Sequence, residues 1–244
     1  WNGDSPATVD GYTFSNYGDH SYGQVTLLQA TENSINSAYV EVESEVGVDR
    51  VVDAAIRAGV PDDTPGMDPD NRNLTFVLGT ASPSGLDMAS AYATFAARGT
   101  WVQPTVLTRV TGPNGGVLYE SSVQSQASFE SDVADTVTYA LGRVVSDGTG
   151  ATARALGRPA AGKTGTTDDN KSAWFVGYTP QLATAVLMAK EDAAGLPVSL
   201  SGTGGLATVT GGSYPAAIWT AYMTGALEGQ PVVSLPEPPP GATV

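Results

Sequence analysis

The sequence predicts an α+β fold in which helices flank one antiparallel β-sheet. Helical spacing of apolar residues begins at Val25 and recurs up to Gly99, two alternating apolar runs follow one another through a tight turn near residue 180, and a last helix returns before the C-terminal end. Strands joined by tight turns pair antiparallel, whereas strands that alternate with helices would form a parallel sheet. The order of the elements therefore favours the α+β class.

The helices are predicted from apolar spacing and from the residues at their ends. Small polar residues at 33–36 interrupt a periodic stretch that begins at Val25, so one helix should end there and another begin. Ser84 is a favourable N-cap, and Gly99 a favourable C-terminal stop, for the helix between them. Helices are predicted on both sides of 33–36, and over 48–58, 86–97, 129–145 and 214–229.

Two hairpins are predicted from alternating and β-branched runs. The first turns at 113–116, and the second turns at Thr179 and Pro180. Because side chains alternate along a strand, Trp174 and Phe175 should point to opposite faces of the sheet. Packing roles are predicted for Trp101, Tyr119, Trp174, Phe175, Val176 and Tyr178.

Composition excludes several classes of partner and site. The 244 residues include 11 basic and 25 acidic ones, and the net charge of −14 repels both nucleic acid and anionic membrane surfaces. There is no cysteine, and the single histidine, His20, stands in a polar loop, so no thiolate or multi-histidine metal centre is expected. Four aspartates within 61–73 leave a calcium loop as the weaker alternative to a solvated loop, because the central glycine and closing glutamate are missing.

A lysine in a run of hydroxyls and glycines is the strongest functional signal. Lys163, one of only three lysines, lies within 162–167, at the start of a predicted strand. On an exposed strand edge, Thr164 and Thr166 can offer hydroxyls and backbone N–H groups to an extended peptide, while Gly165 lets the ligand backbone approach closely. The lysine adds a positive charge for a carboxylate. A polar strand entry without function is the alternative.

Residues 157–164 also match the phosphate-binding pattern G-x-x-x-x-G-K-T. That loop normally follows a buried apolar strand and opens a helix. Here residues 147–156 are not an apolar strand, and the Thr-Gly-Thr-Thr-Asp-Asp run after Lys163 is a poor helix interior. The context favours a strand that binds a carboxylate over a nucleotide site.

Two short motifs resemble those of the serine D,D-peptidase and β-lactamase superfamily. Lys163-Thr164-Gly165 matches its K-T-G element, and the one S-x-N in the sequence is Ser34-Ile35-Asn36. Longer stretches look like class A penicillin-binding proteins, particularly actinobacterial ones: 25–40, 85–110, 157–189 and the closing "GGSYPAAIWTAYM". The resemblance covers nearly all of residues 20–228.

The remaining motif of the superfamily, S-x-x-K, is absent from the sequence. The residues three positions before the lysines are Ala160, Asp168 and Leu187. The resemblance therefore implies the C-terminal part of a transpeptidase domain over 1–228, followed by a proline-rich tail or linker over 229–244. The N-terminal part of that domain, with the S-x-x-K helix, is expected outside this sequence, and the stretch alone is expected to be inactive.

The resemblance implies a D,D-transpeptidase that cross-links peptidoglycan stem peptides ending in D-Ala-D-Ala through a serine acyl-enzyme, with no cofactor and no metal. β-Lactams would acylate the same serine as covalent inhibitors. It also implies a location on the extracytoplasmic face of the bacterial cell membrane, with any membrane anchor outside this sequence.

The matched motifs also imply residue roles. Ser34 would relay protons near the leaving nitrogen, and Asn36 would bind the substrate amide and orient the missing lysine. Lys163 would stabilise that relay and attract the terminal carboxylate. The hydroxyls of Thr164 and Thr166 would hold the carboxylate, and the Thr166 N–H would supply half of the oxyanion hole. The implied substrate-binding set is Thr164, Gly165, Thr166 and Thr167.

Other readings of these residues stay open at this point. A non-catalytic peptidoglycan-binding or scaffold module, and a hydrolase of β-lactams or stem peptides, would carry the same two motifs. Locally, Ser34 and Asn36 also suit helix caps. Asp168 and Asp169 suit a turn better than the mouth of an active site.

Overall fold

The computed structural model describes residues 1–242. The described chain contains six α-helices, which begin and end close to the predicted positions. The helix starts follow from their caps: Thr26 and Gln29 form one reciprocal capping box, and Ser84 and Asp87 form another. The helices are α1 Leu27–Asn33, α2 Asn36–Val46, α3 Val48–Ala58, α4 Gly85–Ala96, α5 Ser131–Ser146 and α6 Tyr214–Ala226.

All strands of the described chain pair antiparallel, which confirms the predicted α+β class. The strands are β1 Ala7–Val9, β2 Tyr12–Phe14, β3 Thr100–Val102, β4 Arg109–Thr111, β5 Val117–Glu120, β6 Ser125–Ala127, β7 Ala161–Thr166, β8 Ser172–Thr179 and β9 Leu182–Ala189. Three two-stranded ribbons, β1-β2, β3-β6 and β4-β5, accompany a central sheet of order β7-β8-β9. Strand β7, which carries Lys163, lies at an edge of that sheet, as predicted.

Helices cover both faces of the central sheet. On one face, the Phe175 ring meets the fully buried Trp219 of α6 edge-on at 5.2 Å, and the Trp219 indole N–H donates to the Gly177 carbonyl at 3.2 Å. On the other face, Tyr178 packs against Leu141 of α5. Phe175 and Tyr178 lie on opposite faces, as the alternation of side chains along a strand predicts. Because helices cover both faces, apolar residues are needed at nearly every position of β8.

The packing role predicted for Tyr119 is wrong. Its side chain is 46% exposed, and Leu118 beside it is 72% exposed. Both residues belong to the β4-β5 ribbon, whose strand β5 is exposed along its whole length. A two-stranded ribbon without a covering layer has no buried face, so an aromatic residue in it stays in contact with water.

The C-terminal tail follows the surface of the domain. The Gln181 side-chain amide donates to the Pro231 carbonyl at 2.9 Å, and Leu235 packs beside Leu141 and Tyr178. No helix among residues 1–242 combines the length and the apolar character that a bilayer crossing demands. The division of the chain at residue 228 stays a prediction.

Candidate active site

A cleft of about 530 Å³ opens where the α1–α2 junction, the N-terminal loop and the outer edge of β7 meet. It is bounded by Ser34 and Asn36 from the junction, and by Thr164, Thr166 and Thr167 from the strand. The other lining residues are Ser15, Asn16, Tyr17, Gly18, Asp19, Tyr22, Asn33, Thr149, Asp168, Asp169, Thr210 and Gly212. Residues of both predicted motifs therefore line one cavity.

The backbone places Ser34 at the seam between two helices. Its φ of 56° and ψ of 54° are left-handed, and its N–H closes α1 by donating to the carbonyls of Ala30 and Thr31. A left-handed residue ends one helix and allows the chain to turn into the next, at a modest cost for a residue with a side chain. The turn directs the Ser34 hydroxyl toward the sheet.

Lys163 meets Ser34 across 129 residues of sequence. The Lys163 Nζ donates to Ser34 Oγ at 2.6 Å and to the Thr164 carbonyl at 3.1 Å. No carboxylate of the described residues pairs with this ammonium group. Burial lowers the pKa of Lys163 from 10.5 to about 8, because the desolvated cation is disfavoured. A partly buried cation without a counterion is suited to an anionic ligand.

Asn36 lies in the first turn of α2 and borders the cleft. Its side-chain amide donates to the Ser15 carbonyl at 3.0 Å, which ties the N-terminal loop to the helix. The N-cap of α2 is Ile35, and no side chain caps that helix end. The helix-cap alternative therefore holds for Ser34, which is the C-cap of α1 through its backbone N–H and keeps its hydroxyl for Lys163, but not for Asn36.

Thr164 and Thr166 share a face of β7, and each hydroxyl has a partner behind it. Thr164 Oγ1 lies 2.7 Å from Thr149 Oγ1, and Thr166 Oγ1 accepts a hydrogen bond from the Gly211 N–H at 3.1 Å. Gly165 stands between them and does not line the cavity itself. The two hydroxyls reach the cleft from fixed positions.

The open edge of β7 presents backbone groups of Thr164 and Thr166. The Thr167 N–H donates to the Ser172 carbonyl of the neighbouring strand, while the Thr164 carbonyl accepts from Lys163 Nζ instead. Successive residues of a strand direct their N–H and C=O groups to opposite sides. Odd-numbered residues here face β8, so the N–H groups of residues 164 and 166 face outward.

Thr167 has a different setting from the other two threonines. It borders the cleft, but its Oγ1 accepts from the Ser172 N–H at 2.8 Å and so belongs to the turn between β7 and β8. Asp168 and Asp169 continue that turn as a short 3-10 helix and also border the cleft. They therefore lie in a turn and at the mouth of the candidate site at once.

Sequence reasoning missed the residues that hold the cleft from behind. Asn16 is buried, and its side chain bonds Ser37 on α2 as well as the carbonyls of Gly3 and His20. Thr149 backs Thr164, and Gly211 backs Thr166. The small-residue runs at 148–150 and 211–212 were the available signal, since such runs allow close backbone approach.

A second, wider depression of about 670 Å³ lies on another part of the surface. It is lined by residues 44–50 with Pro69 and Arg72, and it shares no residue with the cleft. Neither Lys163 nor the hydroxyl groups described above reach it.

Comparison with known proteins agrees with this geometry. A family model described as "Penicillin binding protein transpeptidase domain" matches residues 1–208. The chain is 36% identical to penicillin-binding protein 1A of Mycolicibacterium smegmatis, covering 96% of this chain and 31% of that protein. It is 35% identical to the protein of the same name from Mycobacterium tuberculosis, covering 96% and 30%. The chain thus spans about a third of the length of these relatives.

Solved structures show the same fold. The penicillin-binding protein PonA1 from Mycobacterium tuberculosis matches with a TM-score of 0.86 and 33% identity, over 100% of this chain and 69% of that one. PonA1 in complex with penicillin V matches with a TM-score of 0.80 and 34% identity, over 96% and 65%. The fold, the shared cleft and the matched family model lead to one assignment: this chain belongs to the penicillin-binding protein transpeptidase domain family.

Proposed function

We propose that this chain forms the C-terminal part of a D,D-transpeptidase that cross-links peptidoglycan stem peptides through a serine acyl-enzyme. The observation that carries the proposal is the 2.6 Å contact between Lys163 Nζ and Ser34 Oγ. It joins the K-T-G and S-x-N motifs in one cleft. The nucleophilic serine belongs to an S-x-x-K segment outside this sequence.

In the first half-reaction, the serine oxygen attacks the carbonyl carbon of the penultimate D-alanine. The C–N bond then breaks, the proton lost by the attacking serine passes through Ser34 to the leaving nitrogen, and D-alanine departs with an ester left on the serine. Ser34 is suited to deliver that proton. Its oxygen accepts from Lys163, so its own hydrogen is free to point into the cleft. An amine of a second stem peptide then attacks the ester carbonyl, the C–O bond to the serine breaks, and a proton of that amine returns to the serine oxygen.

The edge of β7 holds the ligand during both steps. Lys163 and the hydroxyls of Thr164 and Thr166 surround the position proposed for the terminal carboxylate, and charge-assisted hydrogen bonds of this kind are stronger than neutral ones. The outward N–H of Thr166 supplies one oxyanion donor, and the serine outside this sequence supplies the other. Asn36 contacts the substrate amide from the opposite wall.

The place of work follows from the substrate. Peptidoglycan is assembled outside the bacterial cytoplasmic membrane, so we assign the domain to the extracytoplasmic face of that membrane. The proposed membrane anchor and the S-x-x-K segment both lie outside this sequence. β-Lactams, as mimics of the D-Ala-D-Ala end, are proposed to acylate the same serine.

Penicillin labelling with peptide mapping tests the proposal. The complete protein that contains this chain should bind a fluorescent penicillin covalently, one molecule per chain, and protease digestion should place the label on a peptide outside residues 1–244. An unlabelled complete protein would contradict the proposed function. A label on Ser34 or any other serine of this sequence would contradict the proposal that the nucleophilic serine lies outside it.

Asn36→Ala separates substrate binding from structure. We expect acylation by penicillin to fall at least tenfold, because an amide donor at the reacting centre is lost. The melting temperature should shift little, since among residues 1–242 this side chain bonds only to an exposed loop carbonyl. Stopped-flow acylation and thermal unfolding of one preparation measure both effects.

Asn71→Ala is the matched control for that variant. Asn71 also forms side-chain hydrogen bonds, to Asp68, but it lies in an exposed loop outside the cleft. Acylation of this control should equal that of the unaltered protein. A normal acylation rate in Asn36→Ala, combined with a lower melting temperature, would reduce Asn36 to a structural residue.

A further inference from the structure

We infer that Thr149 is a positioning residue for the carboxylate site: its hydroxyl donates to Thr164, which frees the Thr164 hydrogen for the ligand. The inference rests on the proposed function and extends it to a residue outside the K-T-G and S-x-N motifs. Thr149 borders the cleft, and its Oγ1 lies 2.7 Å from Thr164 Oγ1.

The backbone of Thr149 is fixed independently of that hydroxyl. Its N–H donates to the Glu32 carbonyl of α1 at 3.2 Å. Its own carbonyl lies against Gly212, where an added Cβ would come within 2.3 Å of the Thr149 oxygen. An added Cβ at Gly148 would come just as close to the Glu32 carbonyl oxygen. Thr149 is therefore clamped between the helix that ends at Ser34 and the turn that leads into α6.

The direction of the hydrogen bond follows from counting donors. A hydroxyl has one hydrogen, and a ligand carboxylate can only accept. Thr164 must therefore donate to the ligand, and the bond between the two hydroxyls must then run from Thr149 to Thr164. In that direction both hydrogens of the pair are used, one between the two hydroxyls and one toward the ligand.

Thr166 provides an internal parallel. Its oxygen already accepts from the Gly211 N–H at 3.1 Å, so its hydrogen is free to turn toward the cleft. Each hydroxyl of the strand edge thus has a donor behind it, a backbone amide in one case and Thr149 in the other. Two hydroxyls oriented before the ligand arrives lower the cost of ordering them on binding.

The experiment compares a penicillin that has a carboxylate with one that lacks it. In the complete protein, Thr149→Val keeps the shape of the side chain and removes the donor. We expect acylation by benzylpenicillin to slow about fivefold, the effect of one neutral hydrogen bond. Acylation by benzylpenicillin methyl ester should stay within about twofold of the unaltered protein, because the ester offers no anion to bind.

Two further variants keep the test specific. Thr149→Ser restores a hydroxyl at this position and should restore the preference for the carboxylate. Thr152→Val is the matched control: Thr152 Oγ1 donates to the Gly212 carbonyl at 2.6 Å, in the same region but outside the cleft lining. It should change the rates for both penicillins by the same factor. If the valine variant does not fold, Thr149→Ala replaces it in the same comparison.

The outcomes separate this inference from the proposed function. An equal loss with both penicillins in Thr149→Val, or a failure of the serine variant to restore the preference, would overturn the positioning role and leave the transpeptidase proposal intact. An unaltered protein that reacts with neither penicillin would overturn the transpeptidase proposal, and the inference with it.

Discussion

Replacing Lys163 by alanine in the complete protein should slow acylation by penicillin about a hundredfold or more. The Lys163 ammonium bonds the Ser34 hydroxyl and faces the proposed carboxylate position, so one change removes two contacts at the reacting centre. Losing a preorganised electrostatic partner there costs about 3 kcal/mol of transition-state stabilisation. Stopped-flow acylation measures the effect. A rate close to that of the unaltered protein would contradict the assignment of the site.

Folding should not suffer from the same change. Burial lowers the pKa of Lys163 to about 8, so below that pH the folded state carries a desolvated charge that costs stability relative to the unfolded chain. Between about 8 and 10.5 the unfolded chain binds more protons at this position, so this residue makes stability rise with pH in that window. Below pH 8 the alanine variant should unfold at the same temperature as the unaltered protein, or higher.

Acylation should depend on pH in the opposite direction. As the pH rises through about 8, the Lys163 cation is lost, and with it the attraction for the carboxylate. The acylation rate of the unaltered protein should therefore fall above pH 8, and the alanine variant should lack that step. Lys190→Ala serves as the control, because Lys190 is an exposed lysine outside the cleft lining.

Gly211→Ala should produce the second large effect. Gly211 is buried, and a Cβ there would lie 2.1 Å from the Trp174 carbonyl oxygen and 2.7 Å from that of Gly165. Both contacts are with backbone, so the segment around Gly211 must move away from β7. That movement breaks the hydrogen bond from the Gly211 N–H to Thr166 Oγ1. Overpacking of this kind costs about 3 kcal/mol at its upper end. We expect a lower melting temperature and a loss of acylation together.

Gly225→Ala is the matched control for that variant. Gly225 lies inside α6 with nothing within 4 Å of an added Cβ, so alanine should stabilise the helix by roughly 0.5–1 kcal/mol. Thermal unfolding of the two variants should shift in opposite directions. An unchanged melting temperature in Gly211→Ala would show that the segment is free to adjust and does not fix Thr166.

The sequence predicted elements and motifs well because both depend on local spacing. The break at 33–36 and the cap at Ser84 both follow from neighbouring residues. The roles of the motif residues remain predictions, since the contact between Lys163 and Ser34 identifies a site but does not measure its chemistry.

Residues whose importance depends on distant partners could not be predicted. Glu43 is an example: a carboxylate normally indicates an exposed helix position, yet its side chain is fully buried, and burial raises the pKa of that carboxyl. Thr149 and Gly211 sit in small-residue runs that read as loops. Their significance comes from β7, which approaches them only in the folded chain.

The alternation along β7 makes the site sensitive to the length of the peptide it holds. Outward groups recur at Thr164 and Thr166, every second residue, so an extended ligand that slides by one residue presents donors to donors. A slide of two residues restores the pairing but carries the carboxylate about 7 Å along the strand, beyond the reach of the Lys163 ammonium. Only one alignment satisfies both conditions. Under the proposed function, a stem peptide one residue shorter would place a different carbonyl at the reacting position, so the site would select donor stems by the number of residues between that carbonyl and the chain end.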